Sequence, residues 1–120
     1  MSSTKKVLKP YRIFSGALSG TQTSLETDVR GLDTIFLNIA WSGGVVPSAT
    51  ITVEAVQQEA EANGGVPVWM ALDLAATPTI SGASGAHQIF IDSPFTKLRV
   101  TFVTASGAAN VTCDILGKEG

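Results

Sequence analysis

Apolar residues recur at every second position through most of this chain, and that period decides what it can fold into. In Asp33–Trp41, Ile35, Leu37, Ile39 and Trp41 share one face, while Phe36, Asn38 and Ala40 share the other. Ile51, Val53 and Ala55 alternate with Thr50, Thr52 and Glu54. Leu98, Val100 and Phe102 alternate with Lys97, Arg99 and Thr101, and Val111, Cys113 and Ile115 with Asn110, Thr112 and Asp114. A period of two places one face of a strand in a core. No segment keeps a 3.6-residue period over three turns, which excludes a parallel α/β arrangement.

Turn signals divide the strands. Ser42-Gly43-Gly44 is expected to end the first strong strand, and Asn63-Gly64-Gly65, Ser81–Gly85 and Asp92-Ser93-Pro94 to separate later ones. Val66–Leu74 is expected as a strand that Pro67 confines to an edge, and His87–Ile91 as a short strand. Tyr11–Phe14 and Thr21–Thr27 fit shorter strands. Ser106-Gly107 is expected to turn Lys97–Thr104 into Ala109–Leu116 as a hairpin. The total is seven or eight strands. The fold class is all-β, a single antiparallel β-sandwich of jelly-roll or Greek-key type, with a small barrel as the alternative. At 120 residues the chain is one domain. Residues 1–12 read as a basic N-terminal arm and residues 13–120 as the sandwich.

Charge supports that division. Lys5, Lys6, Lys9 and Arg12 carry +4 at the start, whereas the rest holds the other four basic and all ten acidic side chains, a net −6. Such an arm suits an acidic protein surface or nucleic acid, or is a solvated tail. Four charges without interleaved aromatics are a poor match to nucleic-acid binding. Charged residues make up only 15 % of the chain and hydrophobic ones 44 %, which excludes disorder and suggests that part of the surface is covered. No apolar run approaches a membrane span, and none follows the basic start as in a secretory leader.

Candidate chemistry is sparse. One Cys and one His exclude an internal disulfide and fall short of a zinc ligand set. Ser81, Ser84 and His87 lie among glycines, but Ala86 stands where a nucleophile elbow has its second Gly, and no helix follows. Glu54, Glu59 and Glu61 are close in sequence, and Asp73, Asp92 and Asp114 could meet in space. Acids on the polar faces of strands are ordinary in a sandwich. No calcium-loop run is present. No enzyme activity, metal or cofactor is expected. Trp41 shares a face with core residues. Trp69 lies on the face opposite Val68 and Met70, and is placed at a protein contact or a sugar-stacking surface. Cys113 reads as a buried thiol.

Several segments, taken in order, resemble small bacteriophage virion proteins of the capsid cement or decoration type. They are Ser15–Gly20, Val29–Ile35, Trp69-x-x-Leu72, Ile80–Gly85, Pro94–Val100 with Ser106-Gly107, and Ile115–Lys118. The acidic, Ala-rich Gln57–Gly65 stretch departs from that pattern. The resemblance implies a virion structural protein, made in the host cytoplasm and carried on the capsid surface. It implies binding to the major capsid protein or another virion protein, and assembly as a homo-oligomer, with a trimer favoured. Lys5, Lys6, Lys9, Tyr11, Arg12 and Trp69 are the expected partner-binding residues. A tail, collar or fibre component is the alternative within the same class. A carbohydrate-binding module using Trp69 is the alternative outside it.

Overall fold

A computed structural model describes residues 7–29, 32–57, 68–72, 74, 77–92 and 95–118. The described chain is all-β and antiparallel. Its strands are β1 (Val7–Ala17), β2 (Thr21–Thr23), β3 (Thr27–Asp28), β4 (Thr34–Gln57), β5 (Trp69–Ala71), β6 (Thr79–Ser81), β7 (Gly85–Asp92) and β8 (Phe95–Lys118). Among the described residues no helix is long and apolar enough to cross a membrane.

Two 24-residue strands, β4 and β8, form the spine. They pair with each other from Thr34↔Lys118 to Gln57↔Phe95. The first half of β4 and the second half of β8 are flanked by β7 and β1. The other halves are flanked by β5 and β6 on one side and by β2 and β3 on the other. The two resulting layers fold over each other. Phe14 of β1 meets Phe102 of β8 with ring centroids 4.7 Å apart. The Leu25 amide donates to the Ile13 carbonyl at 3.0 Å, and Tyr11 Oη donates to Thr27 Oγ1 at 2.9 Å.

The two predicted breaks are bends inside continuous strands. The chain does not end a strand at Ser42-Gly43-Gly44, and Lys97–Thr104 and Ala109–Leu116 are not a hairpin. The β4–β8 ladder instead slips register between Ser42 and Ala49, with Val45 opposite Ala108 and Ser48 opposite Ser106, and then continues. Bulges of this kind bend a strand and increase its twist. Gly107 sits at φ +76, and a Cβ there would collide with the Val46 carbonyl. Glycine alone fits both conditions.

The core follows the alternation read from the sequence. Ile35, Leu37, Ile39, Ile51, Val53, Leu98, Val100, Phe102, Val111, Cys113 and Ile115 are all buried in one cluster. Trp41 joins them, as expected. Its ring lies against Gly85, where a Cβ would overlap it, and its Nε1 donates to the Ser81 carbonyl at 3.2 Å. Burial of one large aliphatic or aromatic side chain stabilises by about 1.5–3 kcal/mol, so this shared cluster holds the layers together.

Expected outcome: Gly107→Ala forces a left-handed Ala against the Val46 carbonyl and destabilises by roughly 2–4 kcal/mol in chemical denaturation. Gly16→Ala, where a Cβ meets nothing within 4 Å, stays within about 1 kcal/mol of the parent or gains slightly.

Candidate binding surface

The outer face of the layer built from the second half of β4 collects the chain's most complex side-chain cluster. Strand register sets it up: Glu54 lies opposite Arg99 on β8 and opposite Ala71 on β5, and Val56 lies opposite Lys97 and Trp69. Val56 belongs to this face by parity yet is fully buried, outside the main core cluster. Trp69, the expected contact residue, is half-buried at the sheet edge.

Arg99 organises the cluster. Its guanidinium carbon stands 4.0 Å from the Trp69 ring centroid, and its Nε donates to Glu54 Oε1 at 3.3 Å. Thr101 Oγ1 donates to the same carboxylate oxygen at 2.5 Å, and faces Thr23 Oγ at 3.3 Å. An arginine over a tryptophan face is attracted by the ring quadrupole. Partial burial of Glu54 pushes its pKa up, but hydrogen bonds from Thr101 and Arg99, with the Arg99 charge, outweigh that and hold it below the ordinary carboxylate value. The result is a pre-ordered Trp–Arg pair, two residue types enriched at protein contacts.

The other expected contact residues fall elsewhere. From Val7 onward the chain is strand β1, so Tyr11 and Arg12 sit within the sheet. Tyr11 is 41 % exposed, but its hydroxyl is held by Thr27. Arg12 Nε pairs with Asp114 Oδ1 across the β1–β8 ladder at 3.0 Å. Lys9 lies in β1, and Lys5 and Lys6 fall outside the described residues. Among the described members of the set, Tyr11 and Arg12 belong to β1, and Trp69 to β5 at the opposite end of the strand order.

Among the described residues, the candidate groups His87, Glu54 and Asp114 each have a separate partner. His87 Nε2 lies 2.7 Å from the Thr79 carbonyl; a carbonyl only accepts, so that nitrogen carries the proton. The His87 ring packs on Trp41 at 5.3 Å. Glu54 and Asp114 are paired with different arginines on different layers. Asp73, Glu59 and Glu61 lie outside the described residues. Among the described residues no three His, Cys, Asp or Glu side chains are grouped to hold a metal. Cys113 is buried, as expected, and burial, with the neighbouring Asp114 charge, pushes its thiol up to about 12.

Sequence reasoning missed three surface features. Arg99 and Glu54 read separately as polar-face charges, since nothing in the sequence paired their strands. Phe90 is 57 % exposed and touches Phe36 edge-on at 4.9 Å. Val46 is 85 % exposed at the bend, with φ +44. The Gly-Gly before it was the available signal, and it marks a bend as readily as a turn.

No protein-family model matches the chain, and no curated protein matches it in sequence. Solved structures share its fold. The VP2 protein of the infectious bursal disease virus subviral particle is 12 % identical at a TM-score of 0.55, over 98 % of this chain and 33 % of that one. The chain thus spans about a third of VP2. The SPBc2 prophage-derived protein YomS is 13 % identical at a TM-score of 0.51, over 97 % of each chain. At such identities the likeness is one of fold.

Expected outcome: Thr101→Val removes a donor to Glu54 and raises its pKa, read by NMR titration. In the parent, the Glu54 contribution to stability is complete above the ordinary carboxylate value of 4.5 and is lost as pH falls below it through the lowered folded value. Thr101→Val should move that loss to higher pH.

Proposed function

We propose that this chain is a structural protein of a bacteriophage virion, a cement or decoration protein that binds the major capsid protein lattice and stabilises it without catalysing a reaction. The observation that carries the reading is the bend at Val45–Val46. Both side chains are largely exposed, at 68 % and 85 %, and Val46 holds a left-handed backbone. A β-branched residue there costs on the order of 1–3 kcal/mol. Strain of that size, combined with two apolar side chains held out in water, suits a contact knob. The fold supports the same class. It is shared along the full length of a prophage-derived protein and with a third of a viral particle protein.

The mechanism is linkage. A protein that binds assembled lattice in preference to free shell subunits stabilises the lattice by the free energy of binding. Several weak contacts per molecule raise the effective affinity. The bend supplies an apolar contact, Trp69 with Arg99 a mixed one, and Lys5, Lys6 and Lys9 an electrostatic one that weakens with salt.

Expected outcome: Val46→Asn, a polar residue that tolerates the left-handed region, keeps or raises stability yet weakens attachment to particles lacking the protein by about tenfold or more. Removal of residues 1–6, upstream of β1, likewise weakens attachment and leaves the fold unchanged. Attachment of both variants at parent affinity would contradict the proposal.

A further inference from the structure

The two layers end in edges of different character. The β1 edge is guarded: it carries Pro10 and Arg12, and its pairing with β8 slips register twice. Prolines, charges and bulges are the devices by which sheet edges avoid further pairing. The β7 edge has only the charge of Asp92, at its last residue. Gly85–Ile91 contains no proline and no Lys, Arg, Asp or Glu, and β7 runs in unbroken register with β4 over eight pairs, from Trp41↔Gly85 to Thr34↔Asp92. No described strand pairs with β7 on its other side.

The surface beside that edge is unfinished. Phe90 is more than half exposed, and Ile89 and Leu74 are only partly buried against the core. A groove of about 400 Å³ runs between β7 and the opposite layer, lined by Leu74, Thr77, Pro78, Ile89 and Phe90. On the outer face, a shallow depression of about 300 Å³ is lined by Asn38, Ala40, Ala86 and Gln88. A bare edge, a protruding ring and a hollow four positions away at Ala86 lie on one strand.

We propose that β7 is a dimerisation edge, at which two copies of this chain pair their β7 strands antiparallel about a two-fold axis through Gln88. Geometry selects the axis. Residues opposite each other in an antiparallel ladder share a face, so a two-fold perpendicular to the sheet passes through a residue and not between two. Through Gln88, Phe90 of each copy falls opposite Ala86 of the other, where the hollow over Ala40 and Ala86 receives the ring. Through Ile89, Phe90 meets the long Gln88 side chain. Through His87, Phe90 meets Ser84, beyond the strand. The interface is isologous and closes at two copies.

Charge and area agree. Asp92 is the one formally charged residue of the strand, and the axis places the two Asp92 residues at opposite ends, about 27 Å apart and beyond the Debye length at physiological salt. A strand of that length, on a molecule 24 Å thick, offers on the order of 600 Å² per copy, near the ~800 Å² of a standard interface. The partner is a second copy because knob and hollow lie on the same strand in the spacing that a two-fold requires. The inference holds whatever the protein's function.

Sedimentation velocity over a concentration series, combined with oxidative cross-linking, tests it. The parent should shift from monomer to dimer mass. Gln88→Cys should form an intermolecular disulfide at least tenfold faster than Thr23→Cys, an exposed control on the other layer, because paired Cα atoms about 4.5–5.5 Å apart satisfy disulfide geometry. Cys113 is buried and does not compete. Phe90→Lys should weaken the dimer by about tenfold or more while its circular dichroism remains that of the parent. A monomer at every concentration, a trimer, or Gln88→Cys cross-linking no faster than the control would overturn the proposal.

Discussion

The ladder between β4 and β8 is the constraint on which the remaining strands depend. Among the described residues, β1, β2 and β3 pair only with β8, and β5, β6 and β7 only with β4. The two long strands bend together at Gly43–Pro47 and Ser106–Ala108, and one paired ribbon thereby supplies the centre of both layers. That common bend closes the sandwich, because it brings Phe14 over Phe102 and Ile13 against the Leu25 segment. It also sets Gly107 against the Val46 carbonyl, where there is no room for a Cβ. A ladder joining Thr34 to Lys118 is non-local from end to end, the kind of topology that folds slowly.

Burial was legible because it depends only on local period. Ile35 to Trp41, Leu98 to Phe102 and Val111 to Ile115 lie inward, as their alternation indicates. Connectivity was not legible, because period two names a face and no partner. Ser106-Gly107 looks the same whether the chain reverses or bends, and only the continued pairing to β4 decides it. Val56 shows the same limit. Its parity assigns it to the polar face, but it is buried opposite Trp69. Trp69, an expected contact residue, is half-buried, and its neighbours Arg99 and Glu54 become visible only once β4, β5 and β8 are in register. Tyr11 and Arg12 drew attention as members of a basic N-terminal stretch, yet both make their side-chain bonds within the sheet.

The surfaces share a logic. A chain with 15 % charged residues cannot cover itself with charge, and part of its apolar remainder is exposed, including the bend at Val45–Val46, the β7 edge at Phe90, and Val68 and Met70 beside Trp69. The Trp69 corner is braced by its own Arg99 and Glu54. Among the described residues, the exposed side chains of the bend and of the β7 edge have no such bracing. A small sandwich with separate open contacts can touch a lattice and a second copy at once, and each contact can be weak while the array is stable.

The proposed coating of a capsid lattice is tested by the chain's copy number in the virion. Quantitative mass spectrometry of purified virions, scaled to the major capsid protein, should give a ratio near one to one. A few per cent or less would place the chain in the tail, collar or fibre, and its absence from clean virions would contradict a structural role altogether.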